Sequence, residues 1–149
     1  MAALAEDPEL GVRVQLAQHH PAAAPELLLR CYLEYRCHGR DHLSELPQFP
    51  TEGLDRFADD PDPAVRRLVA LDQHADPDLV DRLSRDPDAK VRQAMASSPR
   101  LPAARITALL DDPELAEASA ANPAFTADQM HQVLNRLNEC ADCHLQGSS

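Results

Sequence analysis

Four cysteines and seven histidines carry most of the chain's potential for chemistry, and their spacing narrows what that chemistry could be. One group is "CYLEYRCHGRDH", which offers Cys31, Cys37, His38 and His42. Four sulfur and nitrogen donors of this kind suit a tetrahedral structural zinc site. Cys31 and Cys37 are six positions apart, however, which on one helix points them about 120° away from each other. Convergence would need a break near Gly39; otherwise Cys31 is a small core residue and His38 and His42 belong to the surface. The second group is "CADCH", with Cys140 and Cys143. It matches the pattern for covalent haem attachment. That attachment is made outside the cytoplasm, and the opening "MAALAEDPEL" lacks the basic and apolar regions of an export signal. A zinc or redox role, or two exposed thiols on a fraying end, are the readings left for Cys140 and Cys143. No glycine-rich phosphate loop and no HExxH motif occurs. The remaining histidines and carboxylates are scattered, so the expectation is a protein that is not an enzyme.

Arginine is the other residue type with a meaningful spacing. Arg40, Arg66 and Arg92 recur every 26 residues, with Arg13 one residue out of step, and Arg30, Arg56 and Arg82 form a second row at the same interval. Rows of guanidinium groups could line a groove for carboxylates or phosphates. They could equally pair with aspartates of their own or the next segment and hold the chain together. Acidic residues outnumber basic ones by 25 to 14, so partners exist for every arginine.

The interval comes from a recurrence in the chain itself. "DPDPAVRRL" at 60–68 returns as "DPDAKVRQA" at 86–94. Asp-Pro opens at 7, 60, 86 and 112, and "PQFPTEGLDRFADD" (47–60) aligns with "PRLPAARITALLDD" (99–112) across the stretch where the Asp-Pro pair is lost. The spacing defines five units, 7–33, 34–59, 60–85, 86–111 and 112–137, with a tail over 138–149. A period of this size indicates a solenoid. Within 86–111, Asp86 reads as the helix N-cap and Pro87 as the first helical residue. Val91, Ala94 and Met95 mark a buried face, "SSPRLP" ends the first helix, and Ile106, Leu109 and Leu110 face inward from a second. Neither helix is long enough to persist alone, so stacking must stabilise both. Helical layers stack at roughly 8–10 Å. The two cysteine pairs, about four layers apart, therefore do not share one site within a single chain.

The unit "DPDAKVRQAMASSPRLPAARITALL" and the later "DPELAEASAANPAFTADQMHQVL" resemble the leucine-rich repeat variant family, over about residues 7–137. The resemblance implies an all-α, right-handed superhelix in which an α-helix alternates with a shorter, partly 3₁₀ helix. HEAT-like repeats are the nearest similar fold. Unit 34–59 departs most, with Gly39 at the family's Val and Tyr35 at its Pro. Some family members bind an iron–sulfur cluster through a separate cysteine-rich module, and that compact module is not visible in this chain.

Composition bounds the function. A net charge of −11 repels nucleic acid and anionic lipid unless a basic face overrides it locally. Aromatics make up 3% of the 149 residues, so the core must be built from Leu, Val and Ala in thin layers. No stretch reaches the length of a membrane span. The expectation is a cytoplasmic interaction scaffold whose extended face meets another protein or peptide. Arg30, Arg56, Arg82, Arg40, Arg66 and Arg92 are its candidate polar contacts, and Tyr32, Tyr35 and Phe49 are anchors or local packing. A zinc or iron–sulfur module is the first alternative, and nucleic-acid binding the second.

Overall fold

The computed structural model describes residues 7–20, 24–36 and 39–135, and all regular structure among them is helical. The chain divides into two compact parts, one ending at His74 and the other beginning at Ala75.

The first part contains α1 (Leu10–His19), α2 (Pro25–Glu34), α3 (Arg40–Ser44) and α4 (Pro63–Arg66), with 3₁₀ turns at Asp55–Phe57 and Arg67–Leu71. Helix α2 packs against both α1 and α3, and the two 3₁₀ turns pack on each other. Their shared core is Val14, Ala17, Leu27, Leu28, Cys31, Tyr32, Leu43, Phe49, Leu54, Val65 and Leu68. Tyr32 is its largest fully buried side chain; its ring meets Phe49 edge-on, with centroids 5.8 Å apart, and its hydroxyl donates to Ala64 O at 2.8 Å. A buried phenol needs such an acceptor. Gly39 precedes α3 with φ of 101°, a conformation that side chains disfavour, which explains the glycine where units 60–85 and 86–111 carry Val65 and Val91.

The second part contains α5 (Pro77–Leu83), α6 (Ala89–Ala96), α7 (Ala103–Leu109) and α8 (Ala116–Ala120), followed by helical residues 127–135. Helix α6 packs on α5 and α8, and α8 on α7. Val80, Leu83, Val91, Met95, Ala96, Leu101, Ile106, Leu109 and Leu115 are buried. Ala94 and Leu110, expected inside, are half-buried.

The Asp-Pro signature works differently from the sequence expectation. Asp86 is not the N-cap of α6; that residue is Asp88, whose carboxylate accepts from Lys90 N and Val91 N. Asp86 accepts from Asp88 N at 2.8 Å and closes a turn around Pro87. Asp7, Asp60 and Asp112 do the same with Glu9 N, Asp62 N and Glu114 N, at 2.8, 2.8 and 2.9 Å. The aspartate thus nucleates a turn before the helix, and its proline sets φ inside that turn. Asp62 caps α4 as Asp88 caps α6. The helices therefore begin two residues later than Asp-Pro suggests.

Candidate functional site

Two arginines of the first candidate row, Arg66 and Arg92, donate to the carbonyls of their own opening turns. Arg66 Nη1 donates to the carbonyls of Asp60 and Pro61, at 2.8 and 3.3 Å. Arg92 Nη1 repeats this with Asp86 and Pro87, at 3.0 Å each. Arg92 Nη2 also donates to Glu114, 2.8 Å away and 22 residues on. Arg40 is buried: its Nε donates to Tyr32 O at 2.6 Å, and its Nη1 to Asp62, also 22 residues on, at 2.7 Å. Its guanidinium lies 4.4 Å from the Tyr32 ring centre, a favourable place for a cation. Arg13, at the start of the chain, reaches Glu34 at 2.5 Å. In the Arg40 and Arg92 pairs the acid, Asp62 or Glu114, lies two residues after the aspartate of an opening turn. Asp41 pairs with Arg67 close by.

These contacts set local electrostatics. Burial pushes the Asp62 carboxyl upward, but hydrogen bonds from Arg40 and the Ala64 N–H, with the charges of Arg40 and Arg36, hold it below its ordinary value. Burial pushes the Tyr32 hydroxyl up, with Arg67 and Arg40 opposing.

The second row is presented differently. Arg30 is half-buried on α2, and Arg82 is exposed on α5. Arg56 is exposed, its guanidinium 4.9 Å from the Phe57 ring centre, and among the described residues it makes no ion pair.

The proposed zinc ligands are only partly described. Cys31 is completely buried in the first part's core, and burial pushes its thiol up. His42 is on the opposite kind of surface: its side chain is 77% exposed and sits 3.1 Å from Glu45. These two are not brought together. Cys37, His38, Cys140 and Cys143 lie outside the described residues. Among the described residues, no group of three or more His, Cys, Asp or Glu side chains is arranged to hold a metal. No described helix is long and apolar enough to cross a membrane. Tyr32 and Phe49 belong to the core, and Tyr35 packs partly against it.

One set of polar residues escaped the sequence reading. Asp72, Ser98 and Asn122 are all buried, at 2%, 1% and 3% exposure. Each accepts the N–H two residues on, from His74, Arg100 and Ala124. Asp72 also accepts from Leu54 N at 2.7 Å and Asp55 N at 3.3 Å, capping the 3₁₀ turn that starts there. Asn122 instead donates through Nδ2 to Ala96 O at 2.6 Å and Ser98 O at 2.8 Å, at the end of α6. Helix starts leave free N–H groups and helix ends leave free carbonyls. A carboxylate therefore serves the first place and an amide the second. The 26-residue step from 72 to 98 was a usable signal; the shorter step to 122 concealed the third member.

A groove of about 620 Å³ runs along the outer face of α1, lined by Glu9, Gly11, Val12, Gln15, Leu16 and His19. At the other end of the chain, Met130 and Leu134 are 43% and 51% exposed. No protein-family model, curated protein or solved structure matches the chain.

Proposed function

We propose that the chain is a non-catalytic protein–protein interaction scaffold. In this reading it is a right-handed α-solenoid of two-helix units, of the leucine-rich-variant or HEAT-like kind, acting in the cytoplasm without a bound cofactor. Its second arginine row, exposed at Arg56 and Arg82 and half-buried at Arg30, meets carboxylate groups on another protein or peptide. A solenoid suits such a task because each unit contacts only its neighbours and leaves a long face open.

The observation that carries the reading is Arg56. Its charge is exposed, stacked on Phe57 and makes no ion pair among the described residues, in a chain with 25 acidic side chains. By contrast, Arg40, Arg66 and Arg92 use their donors on internal turns and acids. The functional contacts are therefore assigned chiefly to the second row. Nucleic acid is a poor fit to a net charge of −11 when one arginine row is engaged internally. The test is the double variant Arg56→Glu/Arg82→Glu. It should keep the wild-type helical signal and lose a protein captured by wild type. Retention of every captured protein would refute the assignment of this face.

A further inference from the structure

Residues that recur at the 26-residue step repeat one packing task from unit to unit, and a polar residue that breaks the step has no such task to explain it. Three breaks meet in the second part. Arg85 stands where the neighbouring units carry Asp59 and Asp111. Arg105 stands where they carry Leu79 and His131. Ser84, completely buried, stands where they carry Ala58 and Leu110. The end of α5 and one face of α7 bring them together. Arg105 Nε donates to Ser84 Oγ at 2.8 Å and lies 3.8 Å from Asp81 Oδ1. Arg85 Nη1 donates to Asp81 Oδ2 at 2.5 Å and to Asp81 O at 2.9 Å. Two guanidinium groups, one just past α5 and one on α7, thus share a single carboxylate. The trio keeps an excess positive charge in a chain of net charge −11. Arg85 is anchored through Nη1 alone; its side chain is 54% exposed, and among the described residues its Nε and Nη2 have no acceptor. Arg105 bonds through Nε and Nη2, which leaves Nη1.

We propose that Arg85 and Arg105 form a docking site for an acidic peptide segment of another protein, whose Asp or Glu carboxylate bridges the two guanidinium groups beside Asp81. A guanidinium held by one edge presents its remaining N–H groups in a fixed fork, which matches a carboxylate and needs little further ordering on binding. The charge fits as well. One incoming carboxylate neutralises the excess of the trio, whereas a polyanion such as nucleic acid meets the repulsion of the acidic chain around it. Asp86, next in sequence, is buried and its carboxylate is engaged with the Asp88 N–H. The site contains none of Arg30, Arg56 and Arg82, so the inference holds whether or not that row binds anything.

The probe is a fluorescein-labelled peptide of four glutamates flanked by Gly-Ser, measured by fluorescence anisotropy against the full chain at low salt. Saturable binding is expected, weakening as salt rises. Arg85→Glu changes an exposed side chain; it should keep the wild-type circular dichroism and weaken binding about tenfold. Lys90→Glu makes the same charge change at an exposed residue of the same part and should weaken binding less than about twofold. Asp81→Asn should tighten binding, because it removes the carboxylate that competes for both arginines; a purely structural trio would only lose stability. Arg56→Glu should leave the affinity unchanged, which separates this site from the Arg56 face. A lack of saturable binding, equal losses for Arg85→Glu and Lys90→Glu, or a loss confined to Arg56→Glu would overturn the proposal. So would tighter binding of a single-stranded DNA tetranucleotide than of the acidic peptide.

Discussion

Replacing Asn122 tests whether a single buried amide holds the end of α6 to the segment that follows. The side chain makes three bonds, to Ala96 O, Ser98 O and Ala124 N, at 2.6, 2.8 and 2.8 Å. It is 3% exposed, so water cannot replace those partners without local opening. A buried hydrogen bond contributes about 1 kcal/mol net, and stranding its partner adds to the loss. Asn122→Ala should therefore cost about 3 kcal/mol. In a chain of this size that lowers the thermal midpoint by roughly 6–12 °C. Asn122→Asp is nearly isosteric and keeps the bond from Ala124 N. It also points a carboxylate at two carbonyl oxygens, so it should cost about as much as alanine, or more, at neutral pH. The sign of its pH dependence follows. The carbonyls favour the protonated acid, so its folded pKa lies above its unfolded one. The deficit of Asn122→Asp should therefore shrink as pH falls from 7 towards 5, as the protonated acid donates to one carbonyl. Urea and thermal melts followed by circular dichroism at both pH values give the comparison. A cost below about 0.5 kcal/mol for Asn122→Ala, or an aspartate variant whose deficit grows on acidification, would refute the reasoning.

Other outcomes follow from the same contacts. Asp72→Asn should destabilise the first part by about 2 kcal/mol, because its NH2 must face either the N–H groups of Leu54 and Asp55 or that of His74, where a carboxylate oxygen now accepts; guanidinium melts would show it, and neutrality would contradict it. Glu114→Ala removes only an ion pair whose acid is 66% exposed and should cost less than about 1 kcal/mol. Arg92→Ala also strips two carbonyls of their donor and should cost about 1 kcal/mol more than Glu114→Ala in the same melts. Gly39→Ala should lose about 1 kcal/mol through its positive φ alone, since nothing lies near the added carbon, while Gly11→Ala, inside α1, should gain up to about 1 kcal/mol. Asp62 has a folded pKa below its unfolded one, so its contribution is present above the unfolded value and disappears as pH falls through the folded value. Carboxyl NMR titration of wild type and Arg40→Met should show the Asp62 midpoint rising in the variant.

Much of the helical framework was legible because it depends on local rules. Asp-Pro turns, the Val91 and Met95 spacing and the proline stops at 99 and 102 each act within a few residues, and they place α6 and α7 correctly to within two positions. The two-residue error has a physical cause: an aspartate before proline can close a turn as readily as cap a helix, and only the next aspartate decides which. The candidate site was less legible. Arg40, Arg66 and Arg92 share a spacing with Arg30, Arg56 and Arg82, and sequence alone does not show which row meets the backbone carbonyls. Asp72 and Asn122 went unread because their work lies across the chain, on groups 18 and 26 residues earlier.

The central claim is that this chain acts by binding protein through its exposed arginines, and the most direct measurement is affinity for a captured partner. Wild-type chain, kept anaerobic and analysed for zinc and iron, would be used to isolate a partner identified by mass spectrometry. Its dissociation constant would then be compared for wild type, Arg56→Glu and Arg92→Ala. The account predicts a metal-free chain, at least tenfold weaker binding for Arg56→Glu, and Arg92→Ala close to wild type in affinity despite its lower stability. Unchanged affinity for Arg56→Glu, or stoichiometric metal whose removal abolishes binding, would contradict it.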